Sequence, residues 1–446
     1  MSALAQVLLA QGERVSGSDV QRNPLLERIR EMGGTIRMGH ASSHVEGADL
    51  VVYSSSIPPH NPELIHARNQ GIPVLHRGQM QARLVNHRRT IAVTGSHGKS
   101  TTTALAAELL VAAGWDPTVL LGAEVEILGG NARAGKGPYA VVEADESDDS
   151  LLWLTPSVAV ITAIDEEHLD YFRNAGEILE TYAAFADRVV QKGRVIFCVD
   201  DSLALRLLPA LRGRCLTYGL SEGAQIRAQG IELNAGSSRY RCVKNAKALG
   251  SVRLHIPGIH NVVNSLAVVG LADFLGIDFR VTQKALANYR GAKRRFQIQG
   301  EVEGVLVVED YAHHPAEIQA TLKAARNFPG RRVRCVFQPH RFSRTRYLMS
   351  RWAESFALAD EVILLPIYAA SEEPVDGVSS ETLLQAIRSS GNLSVSLSSS
   401  EEVLEQLGRS ASSGDMVLFL GAGSVGSLAR RLVESLGGRH VAVTHA

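Results

Sequence analysis

The sequence predicts an α/β protein made of three consecutive series of helices and mainly parallel strands. Short apolar runs of strand length alternate with helical stretches along almost the whole chain, as in βαβ units. At 446 residues the chain is too long for one compact domain, and two to four domains of roughly 100–200 residues are expected. The apolar strand Thr90–Thr94 also runs through a glycine-containing loop into an Ala/Leu-rich helix, which places a P-loop-type sheet mid-chain.

The first series reads as helix Ala3–Ala10, strand Arg14–Ser18, helix Asn23–Met32, and strands Thr35–Gly39 and Leu50–Ser54. A turn at Pro58-Pro59-His60-Asn61-Pro62 leads to another helix and the short strand Ile72–His76, a Rossmann-like succession. The second series has strand Thr90–Thr94, helix Thr101–Ala113 stopped by Gly114, and strands Tyr139–Glu143, Ser157–Ala163 and Arg194–Val199. Short polar strands between Cys215 and Ile256 suggest a small antiparallel insertion before helix Val262–Gly270. The third series has strands Val305–Glu309, Arg332–Phe337, Glu361–Pro366, Leu393–Leu397 and Met416–Leu420, with Ser389–Ser400 as a loop around one of them. The expected domains are 1–88, 89–290 and 291–446.

Lys+Arg and Asp+Glu are equal at 46 each, so nothing draws the whole chain to nucleic acid or an anionic membrane, and any phosphate site is local. No apolar run approaches the roughly 20 residues that span a bilayer, and Met1-Ser2-Ala3-Leu4-Ala5 lacks a basic leader. Cys198, Cys215, Cys242 and Cys335 form no CxxC pair. They are expected to be thiols in a reducing cytoplasm rather than zinc ligands or disulfides.

The chemistry is concentrated at strand ends. Gly95-Ser96-His97-Gly98-Lys99-Ser100 leads into Thr101 at a helix start. Glycines let backbone N–H groups turn towards a phosphate, and the helix N-terminus favours an anion. Lys99 would neutralise phosphate charge and the Ser100 hydroxyl would reach Mg²⁺. Only Ser96 and His97 separate the two glycines, two residues fewer than in the standard loop. The alternative is a plain strand-to-helix turn with a surface lysine.

Strand Tyr139–Glu143 runs into Ala144-Asp145-Glu146-Ser147-Asp148-Asp149, and Ser157–Ala163 into Ile164-Asp165-Glu166-Glu167-His168. Ligands of open parallel sheets bind beyond the carboxyl ends of strands, so both acidic runs are expected to face Lys99 and hold Mg²⁺; solvated acidic turns are the alternative. In the last third, Asp310-Tyr311-Ala312-His313-His314-Pro315 and Gln338-Pro339-His340-Arg341-Phe342-Ser343-Arg344-Thr345 follow two strands of one sheet. Their arginines suit carboxylate or phosphate recognition. Gly421-Ala422-Gly423-Ser424-Val425-Gly426 matches GxGxxG, but no acidic residue follows at the distance a dinucleotide site requires, so it reads as a tight turn.

Together these segments resemble the Mur-type ligases of bacterial peptidoglycan synthesis. Thr94–Thr102 is similar to the family's TGTHGKTTT, and Gly258-Ile259-His260-Asn261-Val262-Val263-Asn264 to its GxHNxxN. The 310–315 and 338–345 segments resemble DYGHHP, with Ala312 in place of glycine, and QPHRYTRT. Asn131–Gly137 leading to Glu143–Asp148 resembles the alanine-adding members.

The resemblance covers nearly the whole chain. It implies a UDP-substrate domain, a central ATPase and a C-terminal Rossmann-like domain. It also implies an ATP- and Mg²⁺-dependent joining of L-alanine to UDP-N-acetylmuramate, by a monomer or weak homodimer. Lys99 then contacts phosphate within the nucleotide loop Gly95–Thr101, and Ser100, Glu143 and His168 surround Mg²⁺. His260 and Asn264 face adenine, and Asp310 faces ribose. Tyr311, His313, Arg341 and Arg344 face alanine and the reacting carboxylate, and Lys99, His168, His313, Arg341 and Arg344 form the catalytic set. Asp19, Ser54 and Ser55 are the candidates for the UDP end. The family pattern also leads one to expect a strand and a GxGGxGM turn, with Met1 as its methionine. A related ligase that joins a recycled tripeptide and a non-catalytic nucleotide-binding module are the alternatives.

Overall fold

The structure, a computed structural model, describes residues 1–166, 171–211, 213–389 and 394–437. Among these, ten strands form a central sheet around Arg89–Thr94, which is flanked by Val158–Ile161 and Tyr139–Glu143, both parallel to it. Ile91, Ala92 and Val93 are fully buried because helices cover both faces of the sheet. Ile91 and Val93 point to the face under Lys99–Ala112 and Ile259–Leu275, while Ala92 points to the face under Arg77–Val85 and Ala175–Asp187. Period-2 alternation thus feeds two cores, and each fully buried side chain of the size of Val93 or Ile91 contributes about 1.5–3 kcal/mol.

The expected antiparallel insertion is part of this sheet rather than separate from it. Cys215–Gly219 pairs parallel to Arg194–Cys198, and the antiparallel strands Ile226–Asn234, Ser237–Lys244 and Lys247–Leu254 extend the same edge. At the other edge, Thr118–Val125 and Gly130–Arg133 add two strands that sequence reasoning did not find.

The N-terminal part pairs Ser16–Asp19 with Thr35–Met38 and Val51–Tyr53 with Val74–His76, each pair parallel. The helix Ser2–Ala10 rests on the central sheet's edge, where Gln6 Nε2 donates to Asn131 Oδ1 at 2.7 Å.

The C-terminal sheet has the order Gln297–Val302, Val305–Asp310, Asp415–Leu420, Arg332–Phe337, Glu361–Leu364, Ser394–Leu397. It is parallel except for Gln297–Val302, an antiparallel edge strand that the sequence reading missed. Leu393, the expected start of the strand Leu393–Leu397, and residues 390–392 of the Ser/Gly-rich stretch Ser389–Ser400 lie outside the described residues. The GxGxxG segment is a turn filled by protein. The Gln338 Oε1 atom accepts the Val425 N–H at 3.1 Å, and a Cβ on Gly423 would lie 2.5 Å from that oxygen. No helix among the described residues is long and apolar enough to cross a membrane.

Candidate active site

The parallel strands Arg89–Thr94, Tyr139–Glu143 and Val158–Ile161 bring their carboxyl ends to one edge. There Gly95 and Gly98 take φ of +131° and +79°. A Cβ at Gly95 would lie 2.2 Å from Thr162 Oγ1, and one at Gly98 would lie 2.4 Å from Asn264 Oδ1, so the loop closes only with glycine. The helix begins at Lys99, earlier than expected, with Gly98 as an N-cap that contributes no side-chain bond. Its first N–H groups are therefore open to an anion.

Lys99 Nζ donates to the Gly95 carbonyl at 2.6 Å and to Glu146 Oε1 at 2.8 Å. Ser100 Oγ lies 3.1 Å from both Glu143 oxygens, and Glu143 Oε2 also accepts the Gly122 N–H at 3.0 Å. The first acidic run thus faces the loop as the strand order required. Glu146 is almost fully buried, and Thr101 is buried in the helix's first turn.

The second run reaches the loop through Asp165, whose N–H donates to Ser96 Oγ at 2.8 Å. His97 turns its ring to Asp165 Oδ2 (3.4 Å) and Glu317 Oε1 (3.8 Å), and the Arg351 guanidinium lies 3.1 Å from Asp165. His97, Asp165 and His314 have ligand atoms within 4.8 Å of one another. Both His97 nitrogens nevertheless face carboxylates and Arg351 sits on Asp165, the pattern of an ion-pair junction. Burial raises the Asp165 carboxyl, but His97, Arg351 and His314 outweigh it and hold the group well below the usual range. His168 lies outside the described residues.

A cavity of about 270 Å³ opens beside the loop. Ser100, Thr101, His260, Asn264 and Asp310 all line it, so nucleotide candidates from three distant segments meet. Burial, helped by Arg295, pushes His260 down to about 4, which leaves a neutral ring. The Asp310 carboxylate accepts the N–H groups of Phe296 and Ala312, each at 2.7 Å, while burial raises it to about 6. Sequence reasoning missed Arg295, Tyr218 and Tyr289 in the same lining. The run Lys293-Arg294-Arg295 was the available signal for the first; the tyrosines gave none.

The alanine-end candidates also gather. Arg294 and Arg295 stack over Tyr311 with guanidinium carbons 4.8 and 5.3 Å from the ring centroid. His313 Nδ1 lies 2.9 Å from the Tyr311 carbonyl. A carbonyl only accepts, so Nδ1 carries a proton, and Glu317 Oε2 lies 3.2 Å from the same nitrogen. Arg344 Nη1 donates to His340 Nδ1 at 3.1 Å, and burial with the surrounding cations pushes His340 down to about 3. Arg341 holds φ +71°, ψ 140° at the start of the helix Phe342–Tyr347. In the N-terminal part, Asp19 Oδ1 accepts the Gln21 N–H at 2.9 Å, Ser54 begins a turn by accepting the Ile57 N–H, and Ser55 Oγ donates to Asp148 at 2.7 Å.

A phosphate loop with an acidic pair beneath it, facing the strand ends of a second sheet across a nucleotide-sized cavity, is the site of a Mur-type ligase, and the chain belongs to the Mur ligase family. It matches the Mur ligase family catalytic domain over residues 1–89, the Mur ligase middle domain over 93–272 and the Mur ligase glutamate ligase domain over 294–423. It is 45% identical to a UDP-N-acetylmuramate–L-alanine ligase of Anaeromyxobacter sp. (strain Fw109-5), covering 95% of this chain and 93% of that one. It is 44% identical to the ligase of the same name from Solibacter usitatus (98% and 93%). Among solved structures, the UDP-N-acetylmuramate–alanine ligase of Thermotoga maritima superposes with a TM-score of 0.84 at 28% identity, covering 97% of this chain and 96% of that one. A murein peptide ligase of Psychrobacter arcticus shares the fold with a TM-score of 0.71 at 22% identity, covering 98% and 97%. The protein is an ATP-dependent ligase with the three-domain Mur architecture.

Proposed function

We propose that this ligase joins L-alanine to the carboxylate of UDP-N-acetylmuramate in peptidoglycan precursor synthesis, with ATP converted to ADP and phosphate. The observation that carries the reading is Lys99 and Ser100 at a helix N-terminus directly over Glu146 and Glu143, in a chain so similar to ligases of that name.

A carboxylate does not condense with an amine in neutral water, because its oxygen is a poor leaving group. A muramate carboxylate oxygen therefore attacks the γ-phosphorus, the bond from that phosphorus to the β–γ bridging oxygen breaks, and ADP leaves with the electron pair. The amine lone pair of alanine then attacks the acyl carbon. The bond to the phosphate oxygen breaks, phosphate leaves with those electrons, and the nitrogen gives up a proton.

Lys99 and the helix N–H groups neutralise charge spread over the transferring group. Ser100 and Glu143 offer hard oxygen donors that suit Mg²⁺, and His168 would join them by resemblance. When bound, Mg²⁺ neutralises charge on the phosphoryl oxygens. His260 and Asn264 contact adenine and Asp310 the ribose. Arg341, Arg344 and Tyr311 hold the carboxylates, and His313 Nε2 takes the ammonium proton. Asp19, Ser54 and Ser55 face the UDP end.

The test is phosphate release from ATP with UDP-N-acetylmuramate and, in turn, L-alanine, glycine, L-serine and a cell-wall tripeptide. Release that depends on L-alanine supports the assignment. Release with the tripeptide alone moves the chain to the recycling ligases, and none with any acceptor sinks the reading.

A further inference from the structure

One cation of the N-terminal part reaches the acidic segment under the phosphate loop. Arg77 opens the helix Arg77–Val85, and its Nη2 lies 3.0 Å from Asp148 Oδ2 and 3.3 Å from Asp145 Oδ2. Ser55 and His76 join the same contact. His76 Nδ1 accepts the Gly78 N–H, so its Nε2 carries the proton. That proton points to Ser55 Oγ at 2.9 Å, and the Ser55 hydroxyl donates to Asp148 at 2.7 Å. Ser55, His76 and Asp148 are therefore a chain of donors ending on a carboxylate, not a nucleophile with its base.

The segment they hold carries Glu143, Asp145, Glu146, Asp148 and Asp149, five carboxylates within seven residues. Lys99 faces Glu146, Tyr171 donates to Asp149, and Arg77 bridges Asp145 and Asp148. A triphosphate on Lys99 brings several more negative charges to within a Debye length of about 8 Å. The flanking aspartates must then be fixed and neutralised from outside the loop.

We infer that Arg77 is a positioning residue for the nucleotide: by bridging Asp145 and Asp148 it offsets their charge and fixes the acidic segment, coupling the N-terminal part to the ATP site. The inference rests on the ligase reading above. It differs from a direct grip of Arg77 on the UDP substrate, which predicts no effect on nucleotide bound alone.

The experiment is calorimetric binding of Mg²⁺ with the non-hydrolysable β,γ-imido analogue of ATP to the full chain without UDP substrate. Arg77→Gln is expected to raise Kd by about five- to tenfold, the range of a modest coupling between sites, with the loss larger at low salt. Adding Asp148→Asn removes the nearer of the two carboxylate charges that Arg77 bridges and is expected to return Kd to within about twofold of wild type, a recovery that lost packing does not give. Wild-type affinity in Arg77→Gln, or no recovery in the double variant, overturns the inference. Should Arg77→Gln fail to fold by circular dichroism, Asp148→Asn alone decides. It is expected to tighten binding by about two- to threefold, and unchanged or weaker binding overturns the inference. A wild-type chain that binds no nucleotide refutes the ligase reading itself and is read separately from these comparisons.

Discussion

The Asp165 carboxylate lies 3.1 Å from the Arg351 guanidinium, tying the nucleotide-loop edge of the central sheet to the helix Met349–Ser355 of the C-terminal part. Both side chains are partly exposed, so Arg351→Ala is expected to cost no more than about 1 kcal/mol of stability. The depressed Asp165 carboxyl gives the pH dependence its sign. Its contribution is complete above the unfolded value of about 3.9 and is lost as pH falls towards the lower folded value. The Tm gap between wild type and Asp165→Asn should stay level from pH 8 to about 5 and close in more acid solution. A gap that grows on acidification contradicts the contact.

Lys99→Ala is expected to lower kcat by at least the roughly 10²–10³ typical of losing one oxyanion donor. It also removes the cation facing Glu146, which is only 2% exposed. Breaking one side of a buried pair costs about 3–5 kcal/mol, so the variant should melt lower and Lys99→Ala/Glu146→Gln should regain part of the loss without regaining turnover. Phosphate-release kinetics beside thermal melts separate the two effects, and near-normal turnover in a folded Lys99→Ala protein removes the loop from the mechanism.

The nucleotide loop and its acidic partners were legible because each sits at the end of a short apolar run, and parallel strands put those ends on one edge. The antiparallel character of 215–256 was readable from its alternation, but its membership of the main sheet was not. That depends on Cys215–Gly219 lying beside Arg194–Cys198, a pairing set by the helices that cover them. Gly130–Arg133 has almost no strand propensity and is held by its partner Thr118–Val125 and by the Asn131 contacts. Arg77 and Arg351 look like ordinary surface cations until the packing of separate sheets brings Asp148 and Asp165 to them.

Glu143 is expected to set the metal requirement. Its carboxylate spans Ser100 Oγ and the Gly122 N–H, so Glu143→Gln keeps the shape and removes the charge. Chelation should abolish wild-type turnover and added Mg²⁺ should restore it. In Glu143→Gln, the Mg²⁺ concentration for half-maximal rate should rise by about tenfold or more, within the 10–100-fold range seen when support of a metal site is lost. An unchanged Mg²⁺ dependence takes Glu143 out of the metal site.

Arg341 is placed where its backbone is strained. A φ of +71° with ψ of 140° is a region that glycine occupies freely and other residues enter at about 1–3 kcal/mol. The strain is held by Arg341 N–H donating to the Tyr368 carbonyl at 2.8 Å and by the Thr345 N–H and hydroxyl donating to the Arg341 carbonyl. The Arg341 guanidinium lies 4.0 Å from Glu372 Oε1 and, with Arg344, acts on His340. Arg341→Gly and Arg341→Ala both delete the guanidinium and should be comparably poor enzymes with a raised KM for L-alanine. They should differ in stability, with the glycine variant about 1 kcal/mol or more above the alanine variant, because only glycine relieves the backbone. Chemical denaturation of the pair, read beside alanine-dependent phosphate release, checks both halves. Equal stability of the two variants means that the backbone at Arg341 stores no strain.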